Sequence, residues 1–379
     1  MDVVTALRHH LERPTLQLLD QREEPLEHDI SAPTTASVTR VHLHLRDPLG
    51  DLRLSCVRKV LQAARHGLPP VIPPEVIAHL DAVIPWRLES DVLTPALAAA
   101  MPPGLRAPEV LARLERPDDR IELWLRDVEP VPASWTAGDT VHAARLLGRL
   151  AARRRDEPQP AGPRFLDTYR WESVAVWSAP RLLDPATWAH PVFRDPAVVG
   201  LRGPLLALVA GLPRLDERLA AVPVLPAHGD ATPLNLLRPG VDPDDLVLLD
   251  WASATPGPAG WDVVPLVFGL AECGRQDVSD ARAVLDDAIA AYGAGLAEEG
   301  FELAPDRLRT AVVTAAQLRY AFTTLPLGVL DGVPLPDPDP SAYLARRAAL
   351  VRCVLDLTPG GPGEGGVGRG RLAGWSATS

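Results

Sequence analysis

Apolar and polar residues alternate in the first part of the chain, as they do in half-buried β-strands. The alternation is clearest from 38 to 45, and a turn of Asp, Pro, Leu, Gly and Asp at 47–51 leads into a second apolar run over 52–61. Residues 14–19 have the same character. These segments predict an antiparallel meander joined by tight turns.

The apolar spacing then changes to that of helices, in which apolar residues recur on one face every three or four positions. Segments 74–80 and 86–101 are predicted to be helical, and 121–128 is predicted to be a strand that leaves this region.

From residue 139 onward the pattern is mainly helical. Asp139 or Thr140 is expected to cap a helix whose apolar face follows. Two short strands are predicted around 236–237 and 246–249, and 263–355 reads as a bundle of helices.

The whole pattern predicts a two-lobed α+β fold, strand-rich in the N-terminal lobe and helix-rich in the C-terminal lobe. We place the N-terminal lobe at 1–128 and the C-terminal lobe at 129–356, with a Gly-rich disordered tail at 357–379. With 379 residues and 46% hydrophobic content, the chain can bury a core in each lobe.

Charge and composition narrow the classes of partner. A net charge of −11 argues against nucleic acid and anionic membranes, which attract basic surfaces. Residues 1–14 hold no apolar signal segment, and the longest apolar run, 204–212, is too short to span a bilayer. Cys56, Cys273 and Cys353 follow no metal-binding spacing and are expected to be buried, reduced thiols. We therefore expect a cytoplasmic protein, either a monomer or a weak dimer.

Two residue types occur once each. Lys59 is the only lysine among 38 basic residues, and Asn235 is the only asparagine. Arginine cannot replace a lysine that must act as a compact charge on a flexible stem. Gln or Asp cannot freely replace an asparagine that offers a short neutral oxygen to a metal ion. We infer that both residues are retained for a chemical task.

The second of these residues lies in a motif suited to phosphoryl transfer. Asp230 precedes Asn235 by five residues, and Asp250 follows the apolar run 246–249. Phosphoryl transfer needs one carboxylate for the attacking hydroxyl, and a second carboxylate with a neutral oxygen for Mg²⁺. An ordinary polar turn is the alternative interpretation, but it does not explain why the only asparagine falls there.

The complete motif resembles that of the aminoglycoside phosphotransferase family, within the kinase-like small-molecule phosphotransferases. Its elements here are His228-Gly229-Asp230, then Asn235, Leu249-Asp250-Trp251, Gly257-Pro258 and Asp262. The resemblance implies an enzyme, an ATP-dependent phosphotransferase that uses ATP or GTP and Mg²⁺ to phosphorylate an alcohol group.

The resemblance also implies roles for the motif residues. Asp230 would be the catalytic aspartate, and Asn235 and Asp250 would be the magnesium ligands. His228 would brace the loop, and Asp262 would have a structural role.

The same resemblance places the nucleotide in the N-terminal lobe. Lys59 would contact the α- and β-phosphates, aimed by an acid on the following helix. Glu89 matches this position best, and Glu75 and Asp91 are alternatives. The alternative interpretation of Glu89 itself is a residue on a solvated helix face.

Two backbone segments complete the nucleotide site that the resemblance implies. The loop between the first two strands has no Gly-rich motif, so hydroxyl and N–H groups of Ser31, Thr34 and Thr35 would cover the phosphates. An ordinary polar turn is the alternative for this loop. Backbone groups near Leu125 and Asp127 would meet the adenine edge.

The acceptor is a small molecule with a hydroxyl group. An aminoglycoside-type antibiotic, and hence antibiotic resistance, is one candidate. A choline, homoserine or sugar substrate is a second, and a non-catalytic nucleotide-binding module is a third. A polyamine acceptor could meet acids that follow Asp262, namely Glu272, Asp277, Asp280, Asp286, Asp287, Glu298 and Glu299.

Overall fold

The computed structural model describes residues 2–26, 32–68, 74–130, 134–157, 169–240 and 244–359. The strands are β1 Gln17–Pro25, β2 Thr35–Asp47, β3 Gly50–Gln62, β4 Leu105–Arg106, β5 Val110–Arg116, β6 Arg120–Arg126, β7 Val224–Ala227, β8 Leu236–Leu237, β9 Leu246–Leu248 and β10 Thr255–Pro258. The helices are α1 Val3–His10, α2 Pro74–Val83, α3 Leu88–Val92, α4 Pro95–Ala100, α5 Ala137–Arg153, α6 Ala179–Leu183, α7 Pro185–Ala189, α8 Pro196–Val199, α9 Arg202–Ala210, α10 Leu212–Ala220, α11 Val263–Glu272, α12 Val278–Glu298, α13 Pro305–Ala316 and α14 Pro340–Leu355. Two π-helical segments occupy Tyr169–Ser178 and Gln317–Ala321.

The N-terminal part is built on one antiparallel sheet with strand order β1-β2-β3-β6-β5. Strands β2 and β3 form a long hairpin, whose turn is closed by the N–H of Leu49 on the carboxylate of Asp47 at 2.8 Å and by Gly50 at a φ of +117°. The predicted meander is thus confirmed. Strand β3 is central, so Lys59 lies opposite Val38 on β2 and Leu123 on β6.

The segment 86–101, predicted as helical, forms two short helices instead of one. Helix α3 ends at Val92, with Leu93 as its C-cap. Thr94 then caps α4 by accepting the N–H of Leu97 at 3.2 Å, and Pro95 lies in the first turn of α4. Because proline fits only the first turn of a helix, a new helix must start there. The break leaves α3 as a single turn that carries Glu89 into the interior.

Other sequence expectations were wrong in detail. The cap of α5 is Thr136, which accepts the N–H of Asp139, while Asp139 accepts the N–H of Thr136 in a reciprocal capping box. Helix α1 and strand β5 were not predicted. Cys273 is exposed, whereas it was expected to be buried.

The hydrophobic core has two parts. A smaller cluster fills the space between α1 and the outer face of the sheet, around Leu7, Val41 and Trp124. A larger cluster begins at Leu123 and Leu125 on the sheet and continues through the C-terminal helices. The second cluster therefore joins the sheet and the helices into one packed unit.

Short strands also connect the two parts of the chain. Strand β4, which follows α4, pairs in parallel with β9, and β9 pairs with β8 in antiparallel fashion. Strands β7 and β10 form a separate antiparallel pair. The β4–β9 pairing therefore joins the segment between α4 and β5 to the C-terminal part of the chain.

A strand-rich N-terminal sheet followed by a helix-rich part confirms the predicted α+β fold, with its strand-rich N-terminal and helix-rich C-terminal lobes. Strand β6, the last strand of this sheet along the chain, ends at Arg126. The boundary between the two lobes at 128/129 remains our proposal. Of the predicted disordered tail, residues 360–379 lie outside the described residues.

Among the described residues no single helix has both the length and the apolar composition to cross a membrane; one bent pair, Pro196–Ala210 with Leu212–Ala220, meets those criteria only when taken together.

Helices α5 and α12 approach so closely that glycine is required at their contact. A methyl group on Gly148 would overlap the carbonyl oxygen of Tyr292, and one on Gly295 would overlap that of Arg145. We expect Gly148→Ala to lower the free energy of unfolding by about 1–3 kcal/mol, because the helices must separate. Urea denaturation measures this change.

Gly203→Ala is the matched control, since this helical glycine has open space where the methyl group would go. We expect its stability to be unchanged or raised by up to about 1 kcal/mol, as for a glycine in a helix. Equal losses in both variants would contradict close packing at Gly148.

Candidate active site

A loop after β7 carries the His-Gly-Asp triplet, and a buried carboxylate holds its backbone. The N–H groups of His228 and Gly229 each donate to Asp262 at 2.8 Å. Gly229 has a φ of +88°, and a methyl group there would overlap the carbonyl oxygen of Ser253. Only glycine meets both constraints, so the loop conformation depends on Gly229 and Asp262 together.

His228 is fully buried behind this loop. Its Nε2 donates to the carbonyl oxygen of Leu249 at 2.8 Å, and its Nδ1 accepts the N–H of Asp230 at 3.3 Å. The rings of His228 and Trp251 pack in a T-shaped contact with 4.7 Å between their centroids. Burial lowers the pKa of His228, so the ring is neutral, and the hydrogen bonds assign its proton to Nε2. Both ring nitrogens hydrogen-bond to backbone groups, which suits the structural role expected of His228 in the loop.

Asp230 and Asn235 are joined directly. The amide nitrogen of Asn235 donates to the backbone oxygen of Asp230 at 2.8 Å and contacts its carboxylate Oδ2 at 3.3 Å. The backbone oxygen of Asn235 accepts the N–H of Leu249 at 2.8 Å. With its nitrogen directed at Asp230, Asn235 has its Oδ1 available as a metal ligand.

Three segments meet at the side chain of Lys59. Its Nζ lies 2.6 Å from the carboxylate of Glu89 on α3 and 2.8 Å from that of Asp250, which follows β9. Burial disfavours the ammonium ion, but the two carboxylates outweigh this effect and raise the pKa of Lys59. Asp250 has a left-handed backbone with a φ of +57°, which sets its carboxylate beside Lys59.

The structure selects Glu89 among the three candidate acids. The side chain of Glu89 is 1% exposed and accepts the backbone N–H of Trp251, the residue after Asp250. Glu75 and Asp91 are exposed. Glu89 therefore ties α3 both to the central strand and to the C-terminal part of the chain.

These groups line one cavity of about 380 Å³, a volume within the range of small-molecule sites. Its apolar walls come from both parts of the chain and include Val38, Val57, Leu125, Leu237 and Leu249. Lys59, Glu89, Asn235 and Asp250 also line it, as do Arg40, Arg126 and Asp127. A cavity with apolar walls and charged groups is suited to a nucleoside and its phosphates.

The segments expected to contact phosphates and adenine are only partly placed at this cavity. Thr35 lines it, whereas Thr34 is buried and its carbonyl oxygen accepts the N–H of Gln62 at 2.9 Å. Ser31 lies outside the described residues. Contact of this loop with phosphate remains a prediction.

Leu125 and Asp127 both line the cavity. The N–H of Asp127 donates to the carbonyl oxygen of Ser55 at 3.1 Å, so it is already engaged within the protein. The Asp127 carboxylate accepts from Arg40 at 2.8 Å and from Ser55 Oγ at 2.6 Å. Arg40, which also lines the cavity, was not identified from the sequence.

The residues present fit a magnesium ion shared with a nucleotide. Mg²⁺ prefers oxygen ligands and is commonly held by one or two protein side chains plus phosphate oxygens. Asn235 and Asp250 both line the cavity and have such oxygens in their side chains. Within the described ranges there is no cluster of three or more His, Cys, Asp or Glu residues suited to a metal.

Three of the seven acids expected on the later helices form ion pairs with arginines. Asp286 pairs with Arg309, while Glu298 pairs with Arg145 and Glu299 with Arg149. These carboxylates were expected to be available to a polyamine acceptor. Their ion pairs make them structural instead, while Asp277, Asp280 and Asp287 are exposed.

Arg319 is a site residue that sequence reasoning missed. Its Nη2 lies 2.6 Å from Asp230 Oδ1, and its Nη1 donates to the backbone oxygen of Gly229 at 2.9 Å. It is one arginine among 37 and belongs to no local motif, so the sequence carries no signal for it.

Comparison with known proteins gives a similarity of fold. No protein-family model matches the chain, and no curated protein sequence matches it. An aminoglycoside phosphotransferase from Alicyclobacillus acidocaldarius is similar at 15% identity and a TM-score of 0.47, over 86% of this chain and 91% of that one. One from Streptomyces rimosus, in complex with ADP and streptomycin, has 20% identity and a TM-score of 0.42, over 84% and 99%. An ethanolamine kinase from Plasmodium vivax has 11% identity and a TM-score of 0.47, over 92% and 86%.

We expect Asp262→Asn to lower the free energy of unfolding by about 1–3 kcal/mol, because an amide group cannot accept both N–H bonds as a carboxylate does. The loop that carries Asp230 should loosen as a result. Urea denaturation measures the stability, and amide hydrogen exchange at His228 and Gly229 measures the loop.

Asp287→Asn makes the same exchange on an exposed face of α12 and should change neither quantity. Unchanged protection of the His228 and Gly229 amides in Asp262→Asn would contradict the role given to this carboxylate.

Proposed function

We propose that the protein transfers the γ-phosphoryl group of ATP or GTP to a hydroxyl of a small molecule. The observation that carries this proposal is the ion-paired Lys59, held between Glu89 and Asp250 at a cavity that Asn235 also lines. Asp230 stands next to Asn235, where a carboxylate can meet an acceptor hydroxyl. One small region thus holds a charge for the phosphates, oxygens for a metal and a carboxylate for the hydroxyl.

The proposed step is a direct displacement. Asp230 orients the acceptor hydroxyl and takes its proton, while the bond from the acceptor oxygen to the γ-phosphorus forms. The bond from that phosphorus to the β–γ bridging oxygen breaks, so the nucleoside diphosphate leaves with the electron pair. Lys59 stabilises the phosphate charge, and Asn235 and Asp250 would hold Mg²⁺. Positioning and charge stabilisation supply the rate, since little covalent chemistry is required of the protein.

The mostly buried Lys59 is well suited to phosphate binding. Glu89 keeps the ammonium ion charged and aims it, because a carboxylate at 2.6 Å limits where the flexible lysine stem can go. Asp250 is partly exposed to the cavity and can contact both Lys59 and a metal, since a carboxylate has two oxygens.

The acceptor in this proposal is a small molecule with a hydroxyl group. An aminoglycoside-type antibiotic is the first acceptor to screen, and choline, homoserine and sugar hydroxyls follow. A non-catalytic nucleotide-binding module is disfavoured because all four residues are present, with Lys59 paired to Asp250 and Asn235 hydrogen-bonded to Asp230. The cytoplasmic location expected from the sequence stays part of this proposal.

Nucleotide binding is tested by thermal unfolding with Mg·ATP or Mg·GTP. A ligand at one hundred times its Kd should stabilise the wild-type fold by about 2.7 kcal/mol. Lys59→Arg and Asp250→Ala should both reduce the shift in Tm, the first because a forked guanidinium cannot replace the aimed ammonium. Arg58→Lys is the matched control, since Arg58 neighbours Lys59 but binds Glu23 at 2.7 Å.

A wild-type protein whose Tm does not respond to either nucleotide would contradict the proposed nucleotide site. A shift that survives in full in Lys59→Arg would contradict the role of Lys59.

Phosphoryl transfer is tested with Asp230→Asn. We expect the transfer rate to fall by about 10²- to 10⁴-fold, because the amide cannot take the proton of the acceptor hydroxyl. The Tm shift with Mg·ATP should persist, since Asp230 is not among the residues that hold the nucleotide. The rate is followed as release of ADP, and Asp287→Asn, which is exposed, should leave it unchanged.

A further inference from the structure

The guanidinium group of Arg319 donates hydrogen bonds to two consecutive residues, Gly229 and Asp230. Both lie in the loop after β7, which is called the catalytic loop below. One nitrogen donates to the backbone oxygen of Gly229 at 2.9 Å, and the other lies 2.6 Å from the carboxylate Oδ1 of Asp230. The Arg319 side chain is only 14% exposed. Two donors held in one plane therefore connect the backbone before Asp230 with the side chain of Asp230 itself.

Such a grip fixes the rotamer of a carboxylate. A single hydrogen bond to Oδ1 would let the group swing, whereas a rigid fork anchored on the Gly229 carbonyl sets where Oδ1 must lie. The other oxygen, Oδ2, is contacted by Asn235 at 3.3 Å, a long hydrogen bond. Oδ2 is therefore the oxygen presented to an acceptor hydroxyl.

The segment that carries Arg319 is itself unusual and firmly held. Arg319 lies in the π-helical turn Gln317–Ala321, a form of helix that is rare and often found at functional sites. On one side, Gln317 donates to the carbonyl oxygen of Leu357 at 3.2 Å, and on the other Tyr320 is fully buried against Phe268. Contacts on both sides of Arg319 thus hold this turn in place, so the position of the Arg319 backbone is fixed.

Charges around the pair also favour a fixed guanidinium. Glu272 at the end of α11 lies near Arg319, Arg347 and Asp230, and its pKa is raised by burial. Arg347 donates to the carbonyl oxygens of Thr324 at 2.7 Å and Glu272 at 2.9 Å. Arg347 is thus committed to the backbone and does not compete with Arg319 for Asp230.

We propose that Arg319 is a positioning residue, which holds the Asp230 carboxylate so that Oδ2 meets the acceptor hydroxyl. This inference rests on the proposed function, because it assigns Arg319 a part in the same transfer. A misplacement of a reacting group by about 1 Å costs on the order of 100-fold in rate, so loss of the grip should appear in kcat.

The experiment measures ADP release from Mg·ATP in the full chain, with water as the acceptor. In Arg319→Gln and Arg319→Ala we expect kcat to fall by about 10- to 100-fold, with KM for ATP unchanged within about twofold. Arg319→Lys should stay low although it keeps the charge, because an ammonium ion cannot grip two acceptors in one plane. Free guanidinium at millimolar concentration should restore part of the rate in Arg319→Ala.

Arg309→Ala is the matched control. Arg309 lies on α13, is as deeply buried as Arg319 and pairs with Asp286, away from the catalytic loop. Its loss should lower Tm to a similar extent but leave kcat near the wild-type value, and guanidinium should not rescue it. A fall in kcat that merely follows Tm in both variants would overturn the positioning role.

A second measurement does not depend on turnover. Thermal unfolding of Arg319→Gln, Asp230→Asn and the double variant should be non-additive, since the two side chains contact each other. Additive changes would overturn the contact. Wild-type ADP release that is no faster than that of Asp230→Asn would overturn the proposed function itself, whereas Asp230-dependent release that is unchanged in Arg319→Gln overturns only this inference.

Discussion

The ion pair of Lys59 with Glu89 is the interaction on which the rest of the site depends. A charge taken out of water is costly, and removing one partner of such a pair typically costs about 3–5 kcal/mol because the other is left uncompensated. Lys59 comes from the central strand of the sheet, Glu89 from the one-turn helix α3 and Asp250 from the end of β9. One buried charge therefore fixes three segments that are far apart in the chain.

The loop that carries Asp230 follows the same principle. Asp262 accepts the N–H groups of His228 and Gly229, His228 accepts that of Asp230, and Arg319 donates to the Gly229 carbonyl oxygen and the Asp230 carboxylate. A loop whose backbone N–H groups are held by other residues of the protein has little freedom to reorganise when charge develops. Such preorganisation is the main source of rate in reactions where the protein supplies position and electrostatic stabilisation.

Electrostatics on the acceptor side bear on the choice of substrate. The chain is acidic overall, but two of the four acids of α12, Asp286 and Glu298, pair with arginines, and Asp230 itself lies against Arg319. A highly charged polyamine would therefore compete with existing ion pairs for these carboxylates. A less cationic acceptor would not have to displace these ion pairs. The screen should therefore include hydroxyl compounds of low positive charge.

The sequence by itself determined the outline of the fold and predicted the candidate site. A single lysine, a single asparagine and two aspartates at fixed spacing indicated its residues, because spacing within a loop or hairpin is set by the sequence itself. Tertiary structure alone chose Glu89 over Glu75 and Asp91, split the helical segment at Thr94, and brought Arg319 to Asp230 across 89 residues. Contacts between distant segments leave no periodic pattern in a sequence, since burial and packing decide them only once the chain has folded.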